Sequence, residues 1–363
     1  MINVGIIGCG NISGIYFKNL QLFKNVELVA AADLIPERAR EAVETHEVGK
    51  AVTVDELLGD PDIQIVVNLT IPNAHADVAM RAVDAGKSVY NEKPLTISRA
   101  DGMKLVQQAE EKRVRVGGAP DTFLGAGIQT CRQLIDEGAI GKPISATAFM
   151  MCPGHESWHP DPEFYYKTGG GPMFDMGPYY LTALVSMLGP VARITGSAIK
   201  GREQRTITSE PKNGTTIDVD VPTHIAGVMD FAGGAVGTII TSFDVFGHNC
   251  PRIEIHGTEG SLSVPDPNTF GGPVKLKKGR EDWEEIEVPR PYAKNSRGLG
   301  VADMAAGIAT GRAHRANGQL TLHVLDLMHA VHEASAEGKH ISPQTTCERP
   351  AAMPADLAEG EID

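Results

Sequence analysis

Residues 2–33, INVGIIGCGNISGIYFKNLQLFKNVELVAAAD, contain a strand, a glycine-rich turn, a helix and a second strand in that order. The apolar run Ile2–Ile7 predicts a buried strand, Ser13–Phe23 has a helical pattern, and Val26–Ala32 predicts the second strand. Two strands joined through a helix normally pair in parallel with a right-handed crossover. We therefore predict that the chain begins with a parallel α/β sheet.

The same alternation continues to about residue 121 and then stops. The predicted elements are strands at Ile63–Leu69, Ser88–Asn91 and Arg113–Gly117, and helices at Glu37–Thr45, Ala74–Ala85 and Ser98–Lys112. After the helix Ala126–Glu137, strand-like segments follow one another between Gly and Pro residues, which indicates an open, mainly antiparallel sheet. We predict a first domain at 1–121, a second, α+β domain at 122–349, and a disordered acidic tail at 350–363.

The composition excludes several classes of protein. The chain has 363 residues, 42% of them hydrophobic, and a formal net charge of −13, which suits about two globular domains and argues against nucleic acid or an anionic membrane as partner. The five cysteines are odd in number and lack C-x-x-C spacing, so we predict a reducing, cytoplasmic compartment. The sequence has no apolar run of the roughly 18–20 residues that span a bilayer.

The turn after the first strand, Gly8-Cys9-Gly10-Asn11-Ile12-Ser13, matches most of the dinucleotide-binding pattern G-x-G-x-x-G. The first two glycines allow a tight turn and close approach of backbone N–H groups to a pyrophosphate, and Ser13 is small enough to replace the third. Asp33 ends the next strand, where a carboxylate binds ribose hydroxyls and repels a 2′-phosphate. This favours NAD over NADP, whereas the alternative is a glycine-rich turn that binds nothing.

Two further loops follow predicted strands, Thr70–His75 and Glu92-Lys93-Pro94. Ligands of open parallel sheets bind at the carboxyl ends of strands, so these loops and the glycine-rich turn are expected to line one crevice. For His75 a local hydrogen bond at a helix N-terminus is an equal alternative. The predicted cofactor-binding residues are Gly8, Gly10, Asn11, Ile12, Asp33, Thr70, Pro72, Asn73, His75, Glu92, Lys93 and Pro94.

Together with the segments Gly169–Tyr179 and His256–Leu262, these motifs resemble the Gfo/Idh/MocA family, named for glucose–fructose oxidoreductase and inositol dehydrogenase. The resemblance covers roughly residues 1 to 340. It implies an N-terminal Rossmann domain and a C-terminal domain whose open sheet forms one wall of the substrate site. In this family that sheet is commonly an oligomer interface, so a homodimer or homotetramer formed through it is expected.

The resemblance also implies the catalytic residues. The lysine of Glu-Lys-Pro corresponds to Lys93, the family's aspartate corresponds to Asp175, and the usual histidine four residues later is Tyr179 here. Lys93 would stabilise a developing alkoxide, Tyr179 would accept the hydroxyl proton, and Asp175 would orient Lys93, Tyr179 or a substrate hydroxyl. A free tyrosine has a pKa near ~10, so this role requires a cation such as Lys93 to lower it.

The segment between Cys152 and Tyr166 is rich in aromatic and hydrogen-bonding side chains, which suits a sugar. Either histidine of this loop is an alternative to Tyr179 as the base, and for any single residue the alternative is a surface loop that covers the core. The predicted substrate-binding residues are Lys93, Asp121, Phe123, His155, Trp158, His159, Tyr165, Asp175 and Tyr179.

The predicted helix Leu320–Ala336 carries several polar side chains opposite an apolar stripe, namely His323, Asp326, His329, His332 and Glu333. We interpret them as a solvated face and predict no metal site.

The whole pattern predicts an NAD-dependent oxidoreductase that interconverts alcohol and ketone on a sugar, inositol or related polyol. The alternatives are a redox sensor that holds NAD without turnover and a glycosidase with tightly held NAD. The presence of both Lys93 and Asp175 favours an enzyme, since a sensor does not need them.

Overall fold

The computed structural model describes all 363 residues, and its first third is a six-stranded parallel sheet in the order β3-β2-β1-β4-β5-β6. The elements are β1 (Ile2–Ile7), α1 (Ser13–Leu20), β2 (Val26–Ala32), α2 (Pro36–His46), β3 (Lys50–Ala51), α3 (Val54–Gly59), β4 (Ile65–Asn68), α4 (Pro72–Asp84), β5 (Ser88–Asn91), α5 (Arg99–Lys112) and β6 (Val116–Gly118). The predicted parallel α/β sheet is confirmed. Only the two-residue β3 and the short α3, which have too few residues to show a period, were not predicted.

The glycine-rich turn is held against the end of β4. Gly8 has a φ of +101°, and a Cβ there would lie 2.7 Å from the backbone of Leu69. Only glycine fits this conformation and this close approach. The turn after β1 and the loop after β4 therefore lie side by side at the carboxyl ends of their strands.

The rest of the chain forms an eight-stranded sheet in the order β16-β15-β14-β13-β7-β12-β11-β8, plus a separate pair, β9 and β10. The elements are α6 (Ala126–Asp136), β7 (Pro143–Met151), α7 (Gly171–Asp175), α8 (Gly177–Leu188), β8 (Val191–Ile199), β9 (Gln204–Thr206), β10 (Thr216–Asp218), β11 (His224–Phe231), β12 (Val236–Ser242), β13 (Ile253–Gly257), β14 (Gly260–Val264), β15 (Val274–Lys278), β16 (Glu284–Ile286), α9 (Leu299–Thr310) and α10 (Gly318–Glu337), with 3₁₀ turns at Thr122–Leu124 and Pro162–Tyr166. Every pairing in the large sheet is antiparallel except β7 with β12, which confirms the predicted open sheet.

Helices cover one face of the large sheet, and the other face is open. α8 and α10 pack against β7 and β8. Along β11 the side chains alternate accordingly, with Ile225 and Met229 fully buried and Val228 exposed. Val236 on the neighbouring β12 is also exposed on the open side. The structure thus leaves a broad, partly apolar sheet face uncovered.

The chain returns to the first sheet after building the second. Asn317 forms an antiparallel bridge with Gly117 at the edge strand β6, and the Gly118 N–H donates to the Ala316 carbonyl at 3.1 Å. α10 then packs against α5. The two sheets share one continuous apolar core, so the division of the chain at residue 121 stays a prediction.

The predicted solvated face of the last helix is wrong. His323 and Asp326 are fully buried because α10 lies between β8 and α5, so both of its sides are covered. Asp326 is satisfied there by an ion pair with Arg99, and His323 accepts a hydrogen bond from the Val191 N–H. No helix of the structure has the length and hydropathy needed to cross a membrane.

The predicted disorder of the tail 350–363 is also wrong. Met353 is buried, and its N–H donates to the Gln129 side chain at 2.7 Å. Arg315 donates to the carbonyls of Ala351 and Ala352 and pairs with Asp363 at 2.8 Å. Arginine side chains from the folded body thus bind the backbone and the acidic groups of this segment, which its composition alone does not reveal.

Candidate active site

Lys93 and Asp175 form an ion pair between the two halves of the chain. Lys93 comes two residues after β5, at the carboxyl end of the parallel sheet, and Asp175 is the last residue of α7. The Lys93 ammonium donates to Oδ1 and to the backbone oxygen of Asp175, both at 2.7 Å. Both side chains are more than four-fifths buried. The structure thus brings together the two residues that the sequence motifs single out.

Both members of this pair stay charged. Burial by itself acts to raise the pKa of Asp175, but Lys93 and His155 outweigh it and lower the pKa to about 2. Burial acts to lower the pKa of Lys93, but Asp175 and Tyr179 outweigh it and hold this pKa above its ordinary value. The site therefore presents a fixed and mostly buried ammonium group.

Tyr179 lies beside the pair on α8, with its ring centroid 5.5 Å from the Lys93 nitrogen. Burial raises the pKa of Tyr179, and the neighbouring cations Lys93 and Arg297 only partly oppose that effect. The predicted role as proton acceptor requires a lowered phenol pKa. The structure shows the opposite direction, so this residue suits a neutral hydrogen-bonding group better than a base.

His155 faces the other oxygen of the same carboxylate. Its Nε2 lies 3.4 Å from Oδ2 of Asp175, and neither ring nitrogen has a well-formed hydrogen bond. The rings of Tyr165, Phe243 and Trp158 surround the imidazole, with centroid distances of 4.0, 4.6 and 5.3 Å. The aromatic loop predicted from the sequence therefore reaches the Lys93–Asp175 pair.

The remaining predicted substrate residues divide into two groups. Trp158 is 60% exposed beside His155, and His159 packs between Trp158 and Tyr165. These rings line the outer part of the site.

Asp121 and Phe123 lie elsewhere. Phe123 is buried in the core, and the Asp121 carboxylate accepts hydrogen bonds from the N–H groups of Gly298 and Gly300 at the start of α9. Burial raises the pKa of Asp121 to about 6 against the opposing effect of these bonds. The side chain is therefore occupied as a helix cap and is not directed at the pair.

The loops at the ends of β1, β2 and β4 fit a dinucleotide. The Asp33 carboxylate ends β2 and accepts from the Cys9 N–H at 2.7 Å, which fixes it beside the glycine-rich turn. No atom lies within 4 Å of where a Gly10 Cβ would be, and no side chain caps α1 at Ile12. Leu34 and Ile71 are largely exposed at the same edge, as expected for apolar residues that contact a ring system.

Several predicted cofactor residues are instead buried in the framework of these loops. Glu92 accepts from the Tyr16 hydroxyl and from the Lys93 N–H. The two ring nitrogens of His75 lie 2.7 Å from the Pro94 carbonyl and 3.0 Å from the Thr70 carbonyl. His75 thus joins the loop after β4 to the loop that carries Lys93. Among the other cofactor residues predicted at this edge, Pro72 opens α4 and Asn73 is exposed.

Sequence reasoning missed three residues of the site region. Arg297 lies beside Tyr179, Phe243 packs on His155, and Arg205 binds the loop that carries His155. None of them belongs to a motif, and each comes from a part of the chain far from the residues it contacts. The only sequence signal was the polar character of the segments around them.

Comparisons with known proteins match both parts of the chain. The model of the oxidoreductase family's NAD-binding Rossmann fold matches residues 2–118, and the model of the GFO/IDH/MocA C-terminal domain matches residues 128–263. The chain is 26% identical to myo-inositol 2-dehydrogenase of Thermotoga maritima, over 72% of this chain and 74% of that protein. It is 27% identical to scyllo-inositol 2-dehydrogenase (NAD(+)) of Bacillus subtilis, over 72% of this chain and 73% of that one.

Solved structures share the fold. An NAD-binding oxidoreductase from Klebsiella pneumoniae superposes with a TM-score of 0.82 at 21% identity, covering 94% of this chain and 98% of that one. Levoglucosan dehydrogenase in complex with NADH and L-sorbose superposes with a TM-score of 0.80 at 20% identity, covering 95% and 99%. At these identities the likeness concerns the fold alone.

The fold and the site together define a nucleotide-dependent oxidoreductase built on two large sheets. The two family models span most of residues 2–263, and the chain belongs to the Gfo/Idh/MocA family of oxidoreductases, with an NAD-binding Rossmann fold as its first part.

Proposed function

We propose that this protein is an NAD-dependent dehydrogenase that interconverts an alcohol and a ketone on a sugar, an inositol or a related polyol. The observation that carries the proposal is the buried Lys93–Asp175 ion pair between the dinucleotide-binding edge and the aromatic loop. The names of the relatives support the substrate class, since they include inositol dehydrogenases and a 1,5-anhydro-D-fructose reductase of Ensifer adhaerens.

The residues of the first sheet would hold NAD, which supplies a hydride acceptor when it is bound. The backbone around Gly8, Gly10, Asn11 and Ile12 suits the pyrophosphate, and the Asp33 carboxylate suits the ribose hydroxyls. A carboxylate at that position also repels a 2′-phosphate, so NAD is preferred over NADP.

Lys93 stabilises the negative charge that grows on the substrate oxygen as the carbon loses its hydride. Its ammonium remains protonated because Asp175 raises its pKa against the effect of burial. Asp175 also fixes the direction of the lysine side chain through two hydrogen bonds. A charge that is already in place needs no reorganisation when the alkoxide develops, which is how such a group lowers the barrier.

Tyr179 serves as a neutral donor or acceptor toward substrate hydroxyls in this scheme. The aromatic rings of Trp158 and Tyr165 supply apolar faces for the C–H surfaces of a sugar, and polar side chains between them suit its hydroxyls. A sensor that only holds NAD does not require a buried ion pair where the two halves of the chain meet. This observation favours turnover over the sensor alternative.

The protein is further proposed to act as a homodimer or homotetramer in the cytoplasm. The open face of the large sheet exposes Val228 and Val236, and apolar sheet faces of this kind are usually covered by a partner. The free state of all five cysteines fits a reducing compartment.

A substrate panel tests the proposal. Purified protein is mixed with NAD or NADP and with myo-inositol, scyllo-inositol, levoglucosan and common aldoses, and NADH formation is followed by absorbance. We expect net NADH formation with at least one polyol and a preference for NAD. Glycoside cleavage without net NADH favours the glycosidase alternative. Tight NADH binding without any reaction overturns the proposed function in favour of the sensor.

A further inference from the structure

His155 is a buried polar side chain whose hydrogen-bonding capacity is only partly used. Nδ1 has no hydrogen-bond partner and Nε2 has only the 3.4 Å contact with Oδ2 of Asp175, although the side chain is about nine-tenths buried. Leaving a buried polar group unpaired is destabilising, and unpaired buried groups in folded proteins call for an explanation. The imidazole lies at Oδ2 of Asp175, while Lys93 takes Oδ1 of the same carboxylate. Because a carboxylate only accepts, the nitrogen that faces Asp175, Nε2, carries the ring proton, and Nδ1 keeps a free electron pair that no protein group uses.

The backbone of His155 is firmly held. Its N–H donates to the Tyr166 hydroxyl at 3.3 Å, and that hydroxyl donates to Glu156 at 2.5 Å. Arg205, which is itself buried, binds Glu156 and the carbonyl of Pro153. Bonds on both sides of His155 thus fix the main chain, and the surrounding aromatic rings fix the imidazole. A proton acceptor needs such a fixed position, because proton transfer requires hydrogen-bonding distance to the reacting oxygen.

We propose that His155, rather than Tyr179, accepts the hydroxyl proton of the alcohol during oxidation, an assignment that rests on the proposed function. As the carbon loses its hydride, which bound NAD would accept, the O–H bond breaks and its proton moves to Nδ1 of His155. The electron pair of that bond completes the carbonyl group. The imidazolium later releases the proton to solvent, and reduction follows the same path in reverse.

The charges around His155 support this role. The ionised Asp175 lies beside the ring and stabilises the imidazolium, and Lys93 on the other carboxylate oxygen limits that effect. His159 lies nearby, and a positive charge on one of the two imidazole rings disfavours a positive charge on the other. Tyr165 is neutral because burial raises the pKa of its phenol to about 12. Burial raises the pKa of the Tyr179 phenol, which makes Tyr179 the poorer acceptor at neutral pH.

The test compares His155→Gln with Tyr179→Phe and with His340→Gln, an exposed control histidine. We expect His155→Gln to lower kcat by about 10²–10⁴-fold. We also expect this variant to lose the fall in kcat that the wild type shows on the acidic side of its pH profile. Tyr179→Phe is expected to keep that fall in kcat, and the control to match the wild type. A readout independent of turnover is the NMR signal of the His155 ring, identified by its absence from His155→Gln. It is expected to shift when myo-inositol, or the fastest polyol of the panel, is added to the NADH complex.

Affinity for NADH, measured by fluorescence, checks that each variant is folded. If His155→Gln does not fold, His155→Gly is used. Added imidazole is expected to raise the kcat of His155→Gly at least about tenfold over its value without imidazole. A His155 variant with wild-type kcat and the wild-type fall in kcat on the acidic side, or a glycine variant that imidazole does not rescue, overturns the assignment. If the wild type oxidises a polyol, Lys93→Met is inactive and His155→Gln keeps full activity, the assignment of His155 fails while the proposed function stands. If no polyol reacts with the wild type, the proposed function itself fails.

Discussion

Lys93 reaches across from the dinucleotide-binding half of the chain and donates to both Oδ1 and the backbone oxygen of Asp175, each at 2.7 Å. These residues lie 82 positions apart in sequence. The backbone contact matters because it does not depend on the charge of the carboxylate. The bond to the backbone oxygen fixes the position of the Lys93 ammonium. The bond to Oδ1 does the same and also keeps the ammonium protonated.

Replacing the lysine removes the fixed charge from the site. We expect Lys93→Met to lower kcat/KM for the best polyol by about 10²–10³-fold, as for the loss of one group that stabilises a developing oxyanion. Steady-state kinetics measure the effect, and the exposed Lys104→Met serves as the matched control. Equal activity of both variants would refute the assigned role of Lys93.

The carboxylate of Asp33 is expected to decide the choice of cofactor. Asp33→Ser removes the group that repels a 2′-phosphate, so the ratio of kcat/KM for NAD over NADP is expected to fall at least about tenfold. The exposed Asp282→Ser, far from the parallel sheet, is the control. An unchanged ratio in Asp33→Ser would show that another residue governs the preference.

The exposed ring of Trp158 is expected to contribute to binding rather than to chemistry. Trp158→Ala removes an apolar face beside His155, so KM for the polyol is expected to rise about tenfold while kcat changes little. Trp283→Ala removes the only other tryptophan, on the loop before β16, and is expected to leave both constants unchanged. A fall in kcat with constant KM would contradict the proposed role of Trp158.

Asp121 is expected to affect stability and its pH dependence instead of turnover. Its pKa of about 6 in the folded protein lies above its ordinary 3.8, so the folded state keeps a proton that the unfolded state has lost. The free energy of unfolding therefore falls as pH rises from about 4 to about 6, by about 3 kcal/mol from this group. Urea unfolding of wild type and Asp121→Asn across this range is the measurement. The same pH dependence in both proteins, or loss of turnover in the variant, would be inconsistent with a capping role.

The periodic parts of the chain could be predicted from sequence, and the contacts between non-periodic parts could not. The strand runs Ile2–Ile7 and Val26–Ala32 show their burial directly in their composition, and both have the predicted bounds. Lys93 and Asp175 were expected together because the motifs that contain them resemble the Gfo/Idh/MocA family. A polar side chain, by contrast, looks the same in sequence whether it faces water or a buried partner.

This ambiguity explains the two structural predictions that were wrong. Asp326 was interpreted as part of a solvated face, but it pairs with Arg99 from α5 while fully buried. The tail around Met353 was interpreted as disordered because it is acidic, yet Arg315 and Gln129 bind it. The same limitation applies to Arg297 and Phe243, which reach the site from loops without a repeating pattern.

The most direct test of the proposed activity follows the hydrogen atom itself. The polyol that reacts in the panel is prepared with deuterium on the reacting carbon and incubated with NAD and the wild-type protein or Lys93→Met. We expect the wild type to accumulate deuterated NADH in equal amount to the ketone, as measured by mass spectrometry, and Lys93→Met to form neither at a comparable rate. Loss of the deuterium to solvent, or ketone formation without deuterated NADH, would contradict it.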